Sequence, residues 1–83
     1  ANCAAPTVLN QLGIIDNVKV TCYPGYEAGL KHHVKNDVVF DKNFITSKAA
    51  GTTIDFALSV IKKLVSSTKA KDVAKEICYK YWK

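Results

Sequence analysis

The feature that most constrains this chain is an alternation of short β-branched segments with helical stripes. Strands are predicted at residues 18–22, 38–40 and 44–47, which are rich in residues that favour extended structure. Strands that alternate with helices indicate the α/β class with a mostly parallel sheet. Because three short strands cannot build such a sheet with both faces covered, we interpret the chain as part of a larger α/β domain.

The strongest helical signal predicts a helix over residues 53–65. Thr52 is the expected N-cap, and Asp55 completes a variant of the capping box. The apolar side chains recur at spacings of three and four residues, which places them on one face. They are Ile54, Ala57, Leu58, Ile61, Leu64 and Val65.

Three further helices are predicted from weaker signals. Pro6 suits the first turn of a helix over residues 5–12. A short helix is expected over residues 26–33, although Gly29 interrupts it. Thr68 is predicted to cap a last helix with an apolar face. That face comprises Ala70, Val73, Ala74, Ile77, Cys78 and Tyr81.

Charge and composition narrow the possible partners. The 83 residues carry a net charge of +5, and all 12 basic residues are Lys. Without Arg the chain lacks the forked donors that read phosphates and guanine edges, so nucleic acid is not an expected partner. No apolar run is long enough to span a membrane. The odd number of cysteines, three, and the lack of a secretory signal at the start favour a reducing, cytoplasmic location.

Four stretches resemble the ThiJ/PfpI superfamily. Residues 1–9, ANCAAPTVL, are similar to the motif around the reactive cysteine of that superfamily, and residues 45–58, ITSKAAGTTIDFAL, resemble its late strand, turn and helix. Residues 20–27 resemble the central strand and its loop, and residues 69–74 resemble the closing helix. Ala4 follows the cysteine, as in the DJ-one/YajL branch, whereas the protease-like branch has His there.

The resemblance implies a fold and an assembly. Members adopt a flavodoxin-like, or Rossmann-like, three-layer α/β/α sandwich and usually form homodimers. Residues 1–83 would then be the C-terminal portion of a single domain whose N-terminal part is absent from this chain. No cofactor and no metal are expected.

The resemblance also places Cys3 at a nucleophile elbow, a sharp turn between a strand and a helix. Backbone N–H groups of Ala4 and Ala5 would favour a thiolate there and hold a developing oxyanion. From the residues alone, a buried cysteine that packs as a small hydrophobe is the simpler interpretation. Cys22 and Cys78 are both interpreted as core thiols.

The chain departs from the family pattern in its expected pocket. Tyr23 stands where several enzymatic members have His, and Lys48 replaces the usual Arg. Both are predicted pocket residues, but a phenol is a poor base at neutral pH and a Lys loses bidentate anion binding. The family also pairs its cysteine with a Glu from an early strand, which would lie outside this chain. His32 and His33 are interpreted as surface or structural residues, because no ligand lies at a familiar zinc spacing.

Two functions from different classes follow from the resemblance. The first is a cysteine-dependent enzyme that acts on a small reactive carbonyl or a glycated substrate, with glyoxalase-III-like or deglycase-like chemistry. The second is a non-catalytic sensor of oxidative stress, or a chaperone, in which Cys3 is oxidised. A role in thiazole-phosphate biosynthesis has no recognisable ligand-binding residues in this sequence.

Overall fold

The structure is a computed structural model that describes residues 1–82. Its elements, in chain order, are α1 (Pro6–Gln11), β1 (Val38–Asp41), β2 (Phe44–Ser47), a 3₁₀ turn (Ala50–Thr52), α2 (Thr53–Leu64) and α3 (Ser67–Glu76). The predicted first helix, the two later strands and the main helix are confirmed to within about two residues at each end, the usual precision of such boundaries.

The two strands form an antiparallel hairpin. Val38 lies opposite Ser47, and Asp41 lies opposite Phe44. Lys42 takes a positive φ of 54° in the two-residue turn, which can join strands only in the antiparallel sense. Within residues 1–82 the one regular ladder is therefore antiparallel, and not mostly parallel as expected. Parallel pairing occurs there as two single bridges, Asn2 with Ser47 and Val20 with His33.

Residues 18–22 are extended, but they do not form the predicted strand. The N–H groups that face the hairpin bond to side chains and not to a backbone partner. Lys19 donates to the Asp41 carboxylate at 2.8 Å, and Thr21 donates to the Thr46 hydroxyl at 3.0 Å. These side-chain acceptors satisfy the two N–H groups, so the segment needs no continuous backbone ladder with the hairpin.

The helix predicted over residues 26–33 is absent, and turns take its place. Gly25 and Gly29 adopt φ values of 97° and 89°, in the left-handed region that interrupts a right-handed helix. One helical-type contact survives, from the Leu30 N–H to the Glu27 carbonyl at 3.0 Å. This loop carries part of the site described below.

Thr52 occupies the predicted N-cap position of α2, but its hydroxyl makes no capping hydrogen bond and instead accepts from the Ala49 N–H at 3.1 Å. Thr68, which was predicted to cap the last helix, lies within it. The last helix is capped by Ser66, whose hydroxyl accepts from the Lys69 N–H at 3.0 Å. A side-chain hydroxyl near the start of a helix can bond to any N–H group within reach, so the path of the chain before the helix decides which hydroxyl acts as the cap.

Helix α3 ends at Glu76, one turn earlier than its apolar face suggested. Cys78 therefore lies beyond the helix, with a φ of 60°, and its side chain is exposed. The interpretation of Cys78 as a core thiol is corrected accordingly. Cys22, in contrast, is 1% exposed, which confirms its buried position.

The core lies between α1, residues 18–22 and the hairpin. Ile15, Val18 and Val20 are buried together, and Leu9, Leu30 and Phe44 pack against them. Helix α2 buries Leu58, and α3 buries Ala70 and Ala74, where the two helices contact each other. Within residues 1–82, no helix has the length and apolar character needed to cross a membrane.

Candidate active site at Cys3

Cys3 lies at a sharp turn between an extended segment and a helix. Residues 1–3 run beside β2, because the Ser47 N–H donates to the Ala1 carbonyl and the Cys3 N–H donates to the Ser47 carbonyl, both at 3.0 Å. Cys3 then adopts a φ of 62°, and α1 begins at Pro6. A non-glycine residue in the left-handed region costs energy and needs support from its surroundings.

That support comes from three hydrogen bonds to the Cys3 backbone. Its N–H donates to the Ser47 carbonyl and also to the Asn2 side-chain oxygen at 2.8 Å. Its carbonyl accepts from the Tyr23 N–H at 2.7 Å. Since these partners come from three parts of the chain, the turn is held by tertiary contacts.

The amides that follow Cys3 are not equally free to bind an anion. The Ala5 N–H donates to the Asn2 carbonyl at 3.1 Å, so this amide, which was expected to share in an oxyanion site, already has a partner within the turn. Pro6 has no N–H. The Ala4 N–H has no hydrogen-bond partner among residues 1–82. Ala4 is therefore the available donor at this turn.

The three cysteines differ in their surroundings. All are free thiols, with Cys3 half-buried, Cys22 buried and Cys78 exposed. Burial, and to a smaller degree the Glu27 carboxylate, raises the pKa of Cys22, which disfavours its thiolate. Cys3 alone combines partial accessibility with the strand–turn–helix geometry.

Tyr23 approaches Cys3 through its backbone. The residue is 44% exposed, and its ring meets Tyr26 edge-on, with ring centroids 6.0 Å apart. The structure thus brings the backbone of this predicted pocket residue to Cys3. Its predicted role as a pocket residue stays a prediction.

Lys48 follows Ser47, whose carbonyl accepts from the Cys3 N–H. Its ammonium lies 3.5 Å from the Asp37 carboxylate. Its side chain also lines a cavity of about 220 Å³ together with Cys22 and other residues of the preceding loop. Its predicted contribution to the Cys3 pocket stays a prediction.

Comparison with known proteins accounts for this arrangement. Residues 1–63 match the DJ-1/PfpI family. The chain belongs to this family. Its relatives include Drosophila melanogaster protein DJ-1alpha, 41% identical over 98% of this chain and 39% of that protein. Another is the Caenorhabditis elegans glutathione-independent glyoxalase DJR-1.2, 37% identical over 94% of this chain and 44% of that protein.

A solved structure of the DJ-1/PfpI family carries the same fold. The crystal structure of Drosophila melanogaster DJ-1beta superposes with a TM-score of 0.89 at 36% identity, over 98% of this chain and 46% of that one. The expected flavodoxin-like α/β fold is thereby confirmed at the level of the family. The chain spans less than half the length of these relatives.

The structure also assembles a group of residues that sequence reasoning did not connect. Cys22, Glu27 and His33 bring their ligand atoms to within 4.8 Å of one another. Their spacing matches no familiar zinc motif, because a glycine-containing loop, and not a helix or a tight knuckle, brings them together. The sequence predicted that Cys22 is buried, but nothing in it indicated that His33 lies nearby.

Proposed function

We propose that the protein is a cysteine-dependent member of the DJ-1/PfpI family that acts on reactive carbonyls, with glyoxalase-III-like or deglycase-like chemistry. Cys3 is the proposed nucleophile, and the reaction as proposed uses no cofactor. The single observation that carries the proposal is the half-buried Cys3 at a positive φ of 62°, between an extended segment and α1.

The first step forms a carbon–sulfur bond. The Cys3 thiolate attacks the aldehyde carbon of methylglyoxal, and the carbonyl π electrons move to oxygen, which takes a proton and gives a hemithioacetal. The Ala4 N–H, which has no partner among residues 1–82, is the proposed donor to the developing oxyanion. This role needs an unoccupied amide, and Ala5 does not offer one.

The second step is an internal redox exchange. A proton leaves the former aldehyde carbon and one reaches the neighbouring keto carbon, while the hydroxyl on the first carbon loses a proton and the keto oxygen gains one. The first carbon is thereby oxidised to a thioester and the second is reduced to an alcohol. Water then hydrolyses the thioester and releases lactate and the Cys3 thiolate. The family resemblance implies that a glutamate outside residues 1–83 moves the proton, with Tyr23 shaping the pocket.

Two facts favour the enzyme. The backbone at Cys3 is organised by partners remote in sequence, as a positioned nucleophile requires. One relative, the Caenorhabditis elegans protein of 37% identity, is named a glutathione-independent glyoxalase.

The proposal is tested with methylglyoxal and a matched set of cysteine variants. The protein and its Cys3→Ser, Cys22→Ser and Cys78→Ser forms are incubated without glutathione, and lactate is measured over time. We expect Cys3→Ser to abolish turnover and Cys78→Ser, an exposed thiol remote in sequence, to leave it unchanged. Lactate formation that survives in Cys3→Ser would overturn the assignment.

A second candidate function is an oxidative-stress sensor or a chaperone, and Tyr23 is the observation that favours it. A phenol in place of an imidazole removes a base that operates near neutral pH. If the protein forms no lactate but peroxide oxidises Cys3 selectively, as mass spectrometry would show, the sensor is favoured. In the enzyme, Tyr23→His would raise turnover.

A further inference from the structure

Residues 22–33 bring together side chains of three different metal-ligand types. The Cys22 sulfur, a Glu27 carboxylate oxygen and a His33 ring nitrogen all lie within 4.8 Å of one another. They line the cavity of about 220 Å³ described above. The proposed chemistry at Cys3 uses none of these side chains.

Cys22 and His33 are carried by two backbone segments that are joined to each other. Val20 and His33 form a parallel bridge: the Val20 N–H donates to the His32 carbonyl at 3.1 Å, and the Val34 N–H donates to the Val20 carbonyl at 2.8 Å. Cys22 follows Val20 by two residues. The separation of these two ligands is therefore set by a hydrogen-bonded frame.

Glu27 is held by the turn that connects these segments. Its carboxylate accepts from the Gly25 N–H at 2.8 Å, and its carbonyl accepts from the Leu30 N–H at 3.0 Å. The hydrogen bond to Gly25 is an outer-shell contact of the kind that orients a ligating carboxylate. The turn thereby holds the carboxylate close to Cys22 and His33.

The distances require only small side-chain movements. Zinc bonds of about 2.0–2.3 Å to S, N and O place tetrahedral ligand atoms about 3.3–3.8 Å apart. Ligand atoms separated by up to 4.8 Å would therefore approach by about 1 Å. Glu27 is exposed and His33 is half-buried, so both side chains have room to rotate.

The charges suit a divalent cation. A Cys22 thiolate and the Glu27 carboxylate supply two negative charges, and the imidazole of His33 is neutral when it ligates. Two lysines line the same cavity, but Lys48 is paired with Asp37 at 3.5 Å, and Lys35 is exposed and can extend its ammonium into water. Binding would release the Cys22 proton to solvent.

We propose that Cys22, Glu27 and His33 bind a Zn²⁺ ion, with water in the fourth position. A mixed sulfur, nitrogen and oxygen set favours zinc over the oxygen-preferring Mg²⁺ and Ca²⁺. The ion links the buried segment that carries Cys22 to the exposed loop that carries Glu27. This site is independent of the proposed activity, since its ligands do not include Cys3.

Cobalt provides a direct test, because Co²⁺ replaces Zn²⁺ in such sites and reports thiolate ligation through a sulfur-to-cobalt charge-transfer band. The chain is prepared in a Cys3→Ser background, so that the terminal amine and the Cys3 thiol cannot bind the probe together. Co²⁺ is titrated in, and Zn²⁺ is then added in competition. We expect one equivalent to give the band, together with the visible bands of a tetrahedral site, and Zn²⁺ to remove both.

Paired variants locate the ligands. Because loss of an outer-shell partner alone typically lowers metal affinity about 10–100-fold, His33→Asn and Glu27→Gln should each weaken Co²⁺ binding at least about tenfold. The neighbouring exposed His32→Asn serves as the matched control and should leave the affinity unchanged. Cys22→Ser should abolish the charge-transfer band, whereas Cys78→Ser should keep it.

Three results would overturn the proposal. They are the absence of a charge-transfer band in the Cys3→Ser chain, a band that persists when Cys22→Ser is added, and equal weakening of Co²⁺ binding by His32→Asn and His33→Asn. Circular dichroism establishes that each variant is folded. If Cys22→Ser does not fold, the comparison of His33→Asn with His32→Asn decides the question.

Discussion

The Tyr23 N–H donates a 2.7 Å hydrogen bond to the carbonyl of Cys3, across 20 residues of sequence. Together with the Ser47 carbonyl, which accepts from the Cys3 N–H at 3.0 Å, it holds Cys3 at a φ of 62°. The turn is therefore built from three chain segments. Its conformation is unfavourable for any residue with a β-carbon.

Substitution at Cys3 should reveal this conformational cost. We expect Cys3→Gly to have a free energy of unfolding about 1 kcal/mol higher than Cys3→Ala, because glycine adopts positive φ without a steric penalty. Urea unfolding of the two variants measures the difference. At Cys22, which lies outside the left-handed region, the same two substitutions should give the opposite order. Equal stabilities at Cys3 would show that the turn is unstrained.

A buried hydroxyl beside the hairpin should be replaceable without loss. Thr21 is fully buried, and its hydroxyl has no hydrogen-bond partner among residues 1–82. Removal of an unsatisfied buried polar group relieves a desolvation cost, so Thr21→Val should raise the free energy of unfolding by about 1 kcal/mol.

The matched variant removes a hydroxyl of the same neighbourhood that does have a hydrogen-bond partner. The Thr46 hydroxyl accepts from the Thr21 N–H at 3.0 Å, so Thr46→Val leaves that buried N–H unpaired and should cost about 1–3 kcal/mol. Thr46→Ser keeps the acceptor and should cost less. If Thr21→Val and Thr46→Val change stability in the same direction, this account of the contact is wrong.

Tyr79 should make stability depend on pH in the alkaline range. Burial, and next the Asp55 carboxylate on α2, raises the pKa of Tyr79 above its ordinary value of 10.0. The folded state then keeps a proton that the unfolded chain loses near pH 10.0, so it binds more protons there. The free energy of unfolding should fall as pH rises from that value through the folded pKa.

Two variants isolate this effect. The difference in phenolate absorbance between the protein and Tyr79→Phe gives the titration of Tyr79 itself. Asp55→Asn removes the nearby negative charge and should lower the Tyr79 pKa, so the alkaline loss of stability becomes smaller. A Tyr79 that ionises at or below pH 10.0 in the folded protein would contradict the expectation.

Local patterns were sufficient where neighbouring residues decide the structure. The apolar spacing over residues 53–65 predicted α2, and residue types that favour extended structure predicted β2 at Phe44–Ser47. Periodicity is a property of contiguous residues, so it survives whatever the rest of the fold does. The helix over residues 26–33 was mispredicted because two glycines with positive φ, Gly25 just before the segment and Gly29 within it, outweighed its weak helical pattern.

The sequence by itself determined α1, α2, β1 and β2, the cysteine motif at Cys3 and the burial of Cys22, since these follow from spacing and residue type. Only the tertiary structure decided that Ser66 and not Thr68 caps the last helix, that Cys78 is exposed, and that Cys22, Glu27 and His33 meet. The physical reason is distance along the chain. Local propensities are set by adjacent residues, whereas these contacts depend on where separate segments are brought together.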